Sequence, residues 1–237
     1  MATLDTLPPA TRHAYRWDSR SGLLSGIFQG MTLPFFAVIA RRMDASDLQL
    51  SLLISAPFLG HLLSIVVAWH MQSRPKKPYA LWLGIAARTP LLLMAVTTGA
   101  PLFIGIVIAS QLIGCFVSPA YAAIMKDAYP DDYRGRLMGL VRVGMTAAAM
   151  VAGLTTGRLL DHGLPWWWVL ALAAGLAAYL WCALRARQRE IAVYTALGLG
   201  VLAIPLLADQ LSYRVIFPAG AVIGILAWWA FDRLPEA

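Results

Sequence analysis

The sequence predicts an all-α protein that crosses a lipid bilayer about eight times, and three observations carry that reading. Hydrophobic residues make up 59% of the 237 and charged residues only 13%, where a soluble domain carries about a quarter charged residues. Mean hydropathy is +0.67, so the chain lacks the polar surface to face water on every side. The apolar residues gather into runs of roughly 20, the length a helix needs to cross the hydrocarbon layer. Nine Trp and eight Tyr suit a protein that anchors at two membrane interfaces.

Residues 1–20 carry Arg12, Arg16 and Arg20 without an apolar core. They are expected as a basic cytoplasmic segment on the inner membrane surface, not as a cleavable signal. The first span covers residues 21–40 and repeats a small residue every fourth position, Gly22, Gly26 and Gly30, a spacing that lets another helix approach closely. The second covers 48–70, with Pro57 as a kink and His61 near the middle. A rigid basic loop around Arg74, Lys76 and Lys77 leads to the third, 79–98, which holds Arg88 deep in its length. The fourth is 102–125 and the fifth 137–160. Trp166, Trp167 and Trp168 open the sixth, which ends before Arg185, Arg187 and Arg189. The seventh, 191–208, and the eighth, 215–231, complete the count. The organisation is thus a 1–20 segment, a 21–185 bundle and a 186–237 hairpin with a short tail.

The net charge of +7 does not mark a nucleic-acid binder, because the charges fall in short clusters between spans and form no stripe. With the N-terminus inside, the inner loops collect the clusters at Arg74–Lys77, Lys126–Arg142 and Arg185–Arg189, and Arg233 follows the last span. The outer loops hold only Arg41, Arg42, Arg158 and Arg214. That asymmetry predicts N-in and C-in in an inner or plasma membrane. Cys115 and Cys182 lie in apolar runs and read as buried free thiols, with neither a disulfide nor a metal site between them.

The densest polar feature joins the fourth and fifth spans, Asp127-x-x-Pro130-x-x-x-Arg134-Gly135-Arg136-x-x-Gly139, with Arg142 one turn further on. Pro130 ends one helix and biases Tyr129 out of the helical region. Asp131 and Asp132 then suit the positive end of the next helix. Arg134 and Arg136 are placed to reach lipid phosphates or Asp127. The span that follows carries Gly153 and Gly157 and ends in Arg158-Leu-Leu-Asp161. This hairpin, together with Pro34 to Ser46 and the run from Leu48 to Pro57, resembles the major facilitator superfamily of transporters, chiefly its N-terminal six-span half over residues 15–185.

The resemblance implies a solute cavity near the bilayer midplane, lined from the first and fourth spans, and a second six-span half against which it rocks. The sequence also departs from the family pattern. The loop after the second span keeps the basic residues Arg74, Lys76 and Lys77 but lacks the family's acid and glycines. Ser110 and Gln111 stand near the family's arginine position in span four. The fifth span, through Gly153 and Gly157, has no proline motif.

Arg88 is the sharpest candidate site, since a charged residue within a span costs several kcal/mol unless it meets water or a partner. It either binds an anionic group of the substrate or is structural, paired with a carbonyl or a neighbouring helix; the sequence leaves both open. His61 is a candidate relay, since histidine is the side-chain type suited to proton exchange near neutrality, with a packed neutral histidine as the commoner alternative. Gln29, Thr32, Ser110 and Gln111 either line the cavity or hydrogen-bond across helix contacts. Asp127, Pro130, Arg134, Gly135, Arg136, Gly139 and Arg142 are assigned to a cytoplasmic charge network, against plain positive-inside decoration. The glycine pairs Gly135/Gly139 and Gly220/Gly224 read as packing positions.

No metal-ligand spacing, nucleophile elbow or phosphate loop is present, so no enzyme, metal or cofactor is expected. The partners are the bilayer, an unidentified small solute, and a second copy or second half. The reading is a secondary transporter working by alternating access, with a non-transporting scaffold, partner subunit or truncated half as the alternative.

Overall fold

Prolines and caps set where the helices begin and end in the computed structural model, which describes residues 8–72, 74–162 and 213–234. Helix α1, Pro9–Thr32, opens with proline at its first position, where the missing N–H is no loss. It stops because Pro34 has no N–H to give the Gly30 carbonyl. Helix α2, Phe35–Arg42, closes in a Schellman turn. The Ala45 amide donates to the Ala40 carbonyl and the Asp44 amide to Arg41, both at 3.1 Å, with Asp44 at φ 59°. Ser46 caps α3, Asp47–Met71, through a reciprocal box with Gln49.

Helix α4, Lys76–Leu92, tightens into a 3₁₀ turn, Leu93–Val96. The fourth span is broken into α5, Ala100–Cys115, and α6, Val117–Ala128, because Pro119 cannot donate to the Cys115 carbonyl. Helix α7 is Asp131–His162 and α8 is Tyr213–Asp232. Six segments among the described residues are long and apolar enough to cross a membrane. The expected sixth and seventh spans lie outside the described residues, as do Cys182 and the arginines at 185, 187 and 189.

Two boundaries differ from the sequence expectation. Residues 9–20 are not a separate surface segment but the first turns of α1, where Ala14, Trp17 and Asp18 are buried against the bundle. The hairpin from Asp127 is less of a loop than its polarity suggests. Only Tyr129 and Pro130 interrupt the helix, with Tyr129 extended (φ −115°, ψ 128°) as a residue before proline should be. Arg134, Gly135, Arg136 and Gly139 already belong to α7, whose first turn holds Asp131 and Asp132.

Helix α1 runs between α7 and α8, and α8 also packs on α4, which in turn meets α5 and α6. Glycines make these crossings tight. A Cβ on Gly26 or Gly30 would collide with the Met145 or Ala149 backbone of α7, and one on Gly84 with the Trp228 indole. Gly220 and Gly224 meet Thr32 and Phe28 of α1. Gly135 and Gly139 do not pack in this way, because open space surrounds both. Core side chains gather toward the two ends, Phe36, Phe103 and Phe217 in one cluster, Trp17, Tyr129, Trp228 and Phe231 in the other. The outward surfaces of α3 and α7 stay apolar, with Phe58 73% and Leu154 70% exposed. In a membrane-spanning bundle that surface suits acyl chains.

Candidate functional site

A polar stripe on α1 defines the site. Asp18, Ser21, Ser25 and Gln29 recur at helical spacing on one face, and that face borders a cavity of about 380 Å³. Opposite it stand His61 from α3, Arg88 from α4, Ser110 and Gln111 from α5, and Arg142 from α7. Aromatic side chains, Phe28, Tyr121, Trp228 and Phe231, complete the wall.

The charged groups sit at two levels. Asp18, 1% exposed, accepts hydrogen bonds from the Tyr129 hydroxyl at 2.7 Å and the Tyr121 hydroxyl at 3.0 Å. The positive charge of Arg142 acts on the same carboxylate. Burial, and then the charge and hydrogen bond of Asp18, push the Tyr129 phenol well above its ordinary range, so it stays a donor. Phe28 lies ten residues beyond Asp18, about 15 Å along the helix axis, and the Arg88 guanidinium stacks 4.5 Å from its ring centre. Among the described residues no carboxylate pairs with Arg88, and its buried Nε has no hydrogen-bond partner. The buried Trp228 Nε1 likewise has none.

The structure therefore brings Gln29, His61, Arg88, Ser110 and Gln111 to one cavity. Ser110 is partly committed, since its hydroxyl donates to the Ala87 carbonyl at 2.6 Å and ties α5 to α4. Gln29 reaches the Met145 sulfur at 3.9 Å. Thr32 does not belong to the cavity. It is fully buried, and its hydroxyl turns back to the Phe28 carbonyl at 2.7 Å.

The hairpin residues divide between two places. Asp127 pairs not with an arginine but with Lys76 of α4 at 3.5 Å; both are half exposed, so the pair contributes about 0–1 kcal/mol. Arg134 pairs with Asp131 and donates to the Lys126 and Tyr129 carbonyls, clamping the turn at Pro130. Arg136 is exposed. Arg142, grouped with the hairpin by sequence, instead borders the cavity near Asp18. Cys115 is a free, buried thiol that donates to the Pro57 carbonyl at 3.4 Å. Asp18, Ser25 and Tyr121 are cavity residues that the sequence reading did not single out.

A helical bundle with six segments among the described residues able to span a membrane, and a cavity between them that polar side chains border, defines a multi-pass membrane protein of the transporter type. The family model of the Major Facilitator Superfamily matches residues 21–193, and the chain belongs to that family. No curated protein and no solved structure matches it.

Proposed function

We propose that this protein carries a small solute across an inner or plasma membrane by alternating access, using the cavity between α1, α4, α5 and α7. The observation that carries the proposal is a set of polar side chains from different helices around one cavity inside an apolar bundle. Such groups are costly in a bilayer unless they serve water or a ligand. The cavity also borders α1 and α5, the first and fourth spans that the family resemblance assigns to solute binding. We assign the end bearing Arg74, Lys76, Lys77, Arg134 and Arg136 to the cytoplasm, which makes the chain N-in.

Access is testable without knowing the solute. In a background with both native thiols replaced (Cys115→Ser, Cys182→Ser), Gln111→Cys is labelled with a membrane-impermeant maleimide in right-side-out and inside-out vesicles. Alternating access predicts modification from both sides. Labelling from one side only, in every condition tried, would sink it.

Rocking needs a second bundle, and we propose that another copy of the chain supplies it. The apolar surfaces left open on α3 and α7 suit such a contact. Native mass spectrometry from nanodiscs is then expected to show a discrete dimer. Monomer alone, across several lipid compositions, rules out the self-assembled transporter.

A further inference from the structure

We infer that the cavity selects a small organic monoanion whose charged group docks on Arg88 and whose apolar body lies against Phe28 and Trp228. This deepens the transport reading in naming the solute class, although binding itself can be measured apart from transport.

The argument begins with charge placement. Arg88 sits near the middle of the bundle on α4, half-buried, in a slot cut by small residues. Its Nη1 lies 3.5 Å from where a Cβ on Gly114 would be, and its Cγ lies 3.0 Å from that of Gly224. The Phe28 ring backs the guanidinium and attracts its charge, but a ring face supplies no hydrogen-bond acceptor. A guanidinium carries five donors in a planar fork that matches a carboxylate. Here the buried Nε is unpartnered.

The other charges do not answer Arg88. Asp18 lies about 15 Å along α1 from Phe28, the ring that Arg88 faces, already accepts from two tyrosine hydroxyls, and feels the charge of Arg142. Among the Asp and Arg side chains lining the cavity, one carboxyl stands against two guanidiniums, which leaves one positive charge in excess. A monoanion neutralises that charge, a neutral ligand leaves it, and a dianion reverses it. In a low-dielectric site only the first avoids an uncompensated charge.

The second unpartnered donor supports the same class. The Trp228 indole packs against Gly84, one helical turn before Arg88 on α4, and its buried Nε1 has no acceptor. Arg88 and Trp228 border one cavity, and side chains with several N–H groups between them suit an anion with more than one oxygen. Size sets the remaining limit. At about 380 Å³ the cavity lies near the bottom of the ~300–1,000 Å³ range of small-molecule sites. The ligand is thus a small acid with an apolar or aromatic body.

A lipid phosphodiester bears the same single charge, and the test separates it from a free acid. The full chain, purified in an uncharged sugar detergent, is titrated with benzoate and hexanoate, their amides benzamide and hexanamide, and the dianion phthalate. Binding is read by tryptophan fluorescence and thermal shift, and native mass spectrometry reports retained lipid. The acids are expected to saturate, with the amides and phthalate weaker by roughly tenfold or more. Arg88→Gln abolishes the difference between acid and amide, while Arg88→Lys keeps the preference at lower affinity. If Arg88→Gln does not fold, the wild-type and Arg88→Lys preferences decide.

Equal binding of amide and acid overturns the proposal, and so does failure of every acid to bind. A folded Arg88→Gln that binds acids like wild type overturns it too. An anionic lipid held by the wild type, lost in Arg88→Gln and not displaced by acid assigns Arg88 to a headgroup and likewise ends it. Counterflow in proteoliposomes separates this inference from transport. Acid binding without flux keeps the ligand class and removes transport; amide flux without acid binding does the reverse.

Discussion

Gly30→Ala is expected to destabilise the bundle by about 2–3 kcal/mol, with Gly26→Ala close behind. Each added methyl would meet backbone atoms of α7, the Ala149 carbonyl group for Gly30 and the Met145 carbonyl group for Gly26. A side chain in the way can turn to another rotamer, but a helix backbone cannot, so α1 must move off α7. Helix α1 packs on both α7 and α8, and that shift propagates to the Gly220 and Gly224 contacts on its other side. Gly135→Ala and Gly139→Ala share the same spacing and should do the opposite. Both glycines are exposed within α7 with open space around them, so alanine gains helix propensity of up to ~1 kcal/mol each. Thermal unfolding in detergent compares the four. A Gly30→Ala protein that melts with the wild type would mean that α1 and α7 do not cross this closely.

That contrast shows what a sequence can and cannot carry. The apolar windows behind α3, α4, α7 and α8 are legible because a bilayer demands them of any chain that crosses it. The stop at Pro130 is legible because proline acts on its own neighbours. Which glycine pair meets a partner is not, since i, i+4 spacing says only that two residues share a face. Gly26/Gly30 and Gly135/Gly139 look alike until α7 is placed.

The polar residues of the site follow the same logic. Arg88, His61 and Gln111 stand out as polar residues within apolar runs. Thr32 carries the same signal yet bonds its own helix, a local choice open to any threonine. Asp18 is masked in the sequence because Arg12, Arg16 and Arg20 surround it and give the segment the character of a charged lead. Helical periodicity held the missing clue: Asp18, Ser21, Ser25 and Gln29 form one stripe that continues into the first span.

Asp18→Ala is expected to cost about 2–4 kcal/mol, because it strands the buried Tyr129 hydroxyl and the half-buried Tyr121 hydroxyl without their acceptor. Tyr129→Phe removes one donor from a buried carboxylate and keeps the ring, for a loss of roughly 1.5–3 kcal/mol. The two should not add. The 2.7 Å bond is lost in either variant, so the double mutant is expected to recover about 1–2 kcal/mol relative to the sum.

Alkaline pH gives an independent reading of the same contact. Burial, and then Asp18, raise the Tyr129 phenol above its unfolded value. Its contribution to stability is therefore complete below about pH 10. Above that pH the unfolded chain releases a proton that the folded chain keeps, so stability declines as pH rises toward the folded-state value. Tyr129→Phe should flatten this alkaline limb of the melting curve. If the cycle is additive within ~0.5 kcal/mol and the limb is unchanged, Asp18 is not held by Tyr129. The carboxylate would then be free to face the cavity with Arg142, and the charge balance that leaves Arg88 unanswered would need a different partner.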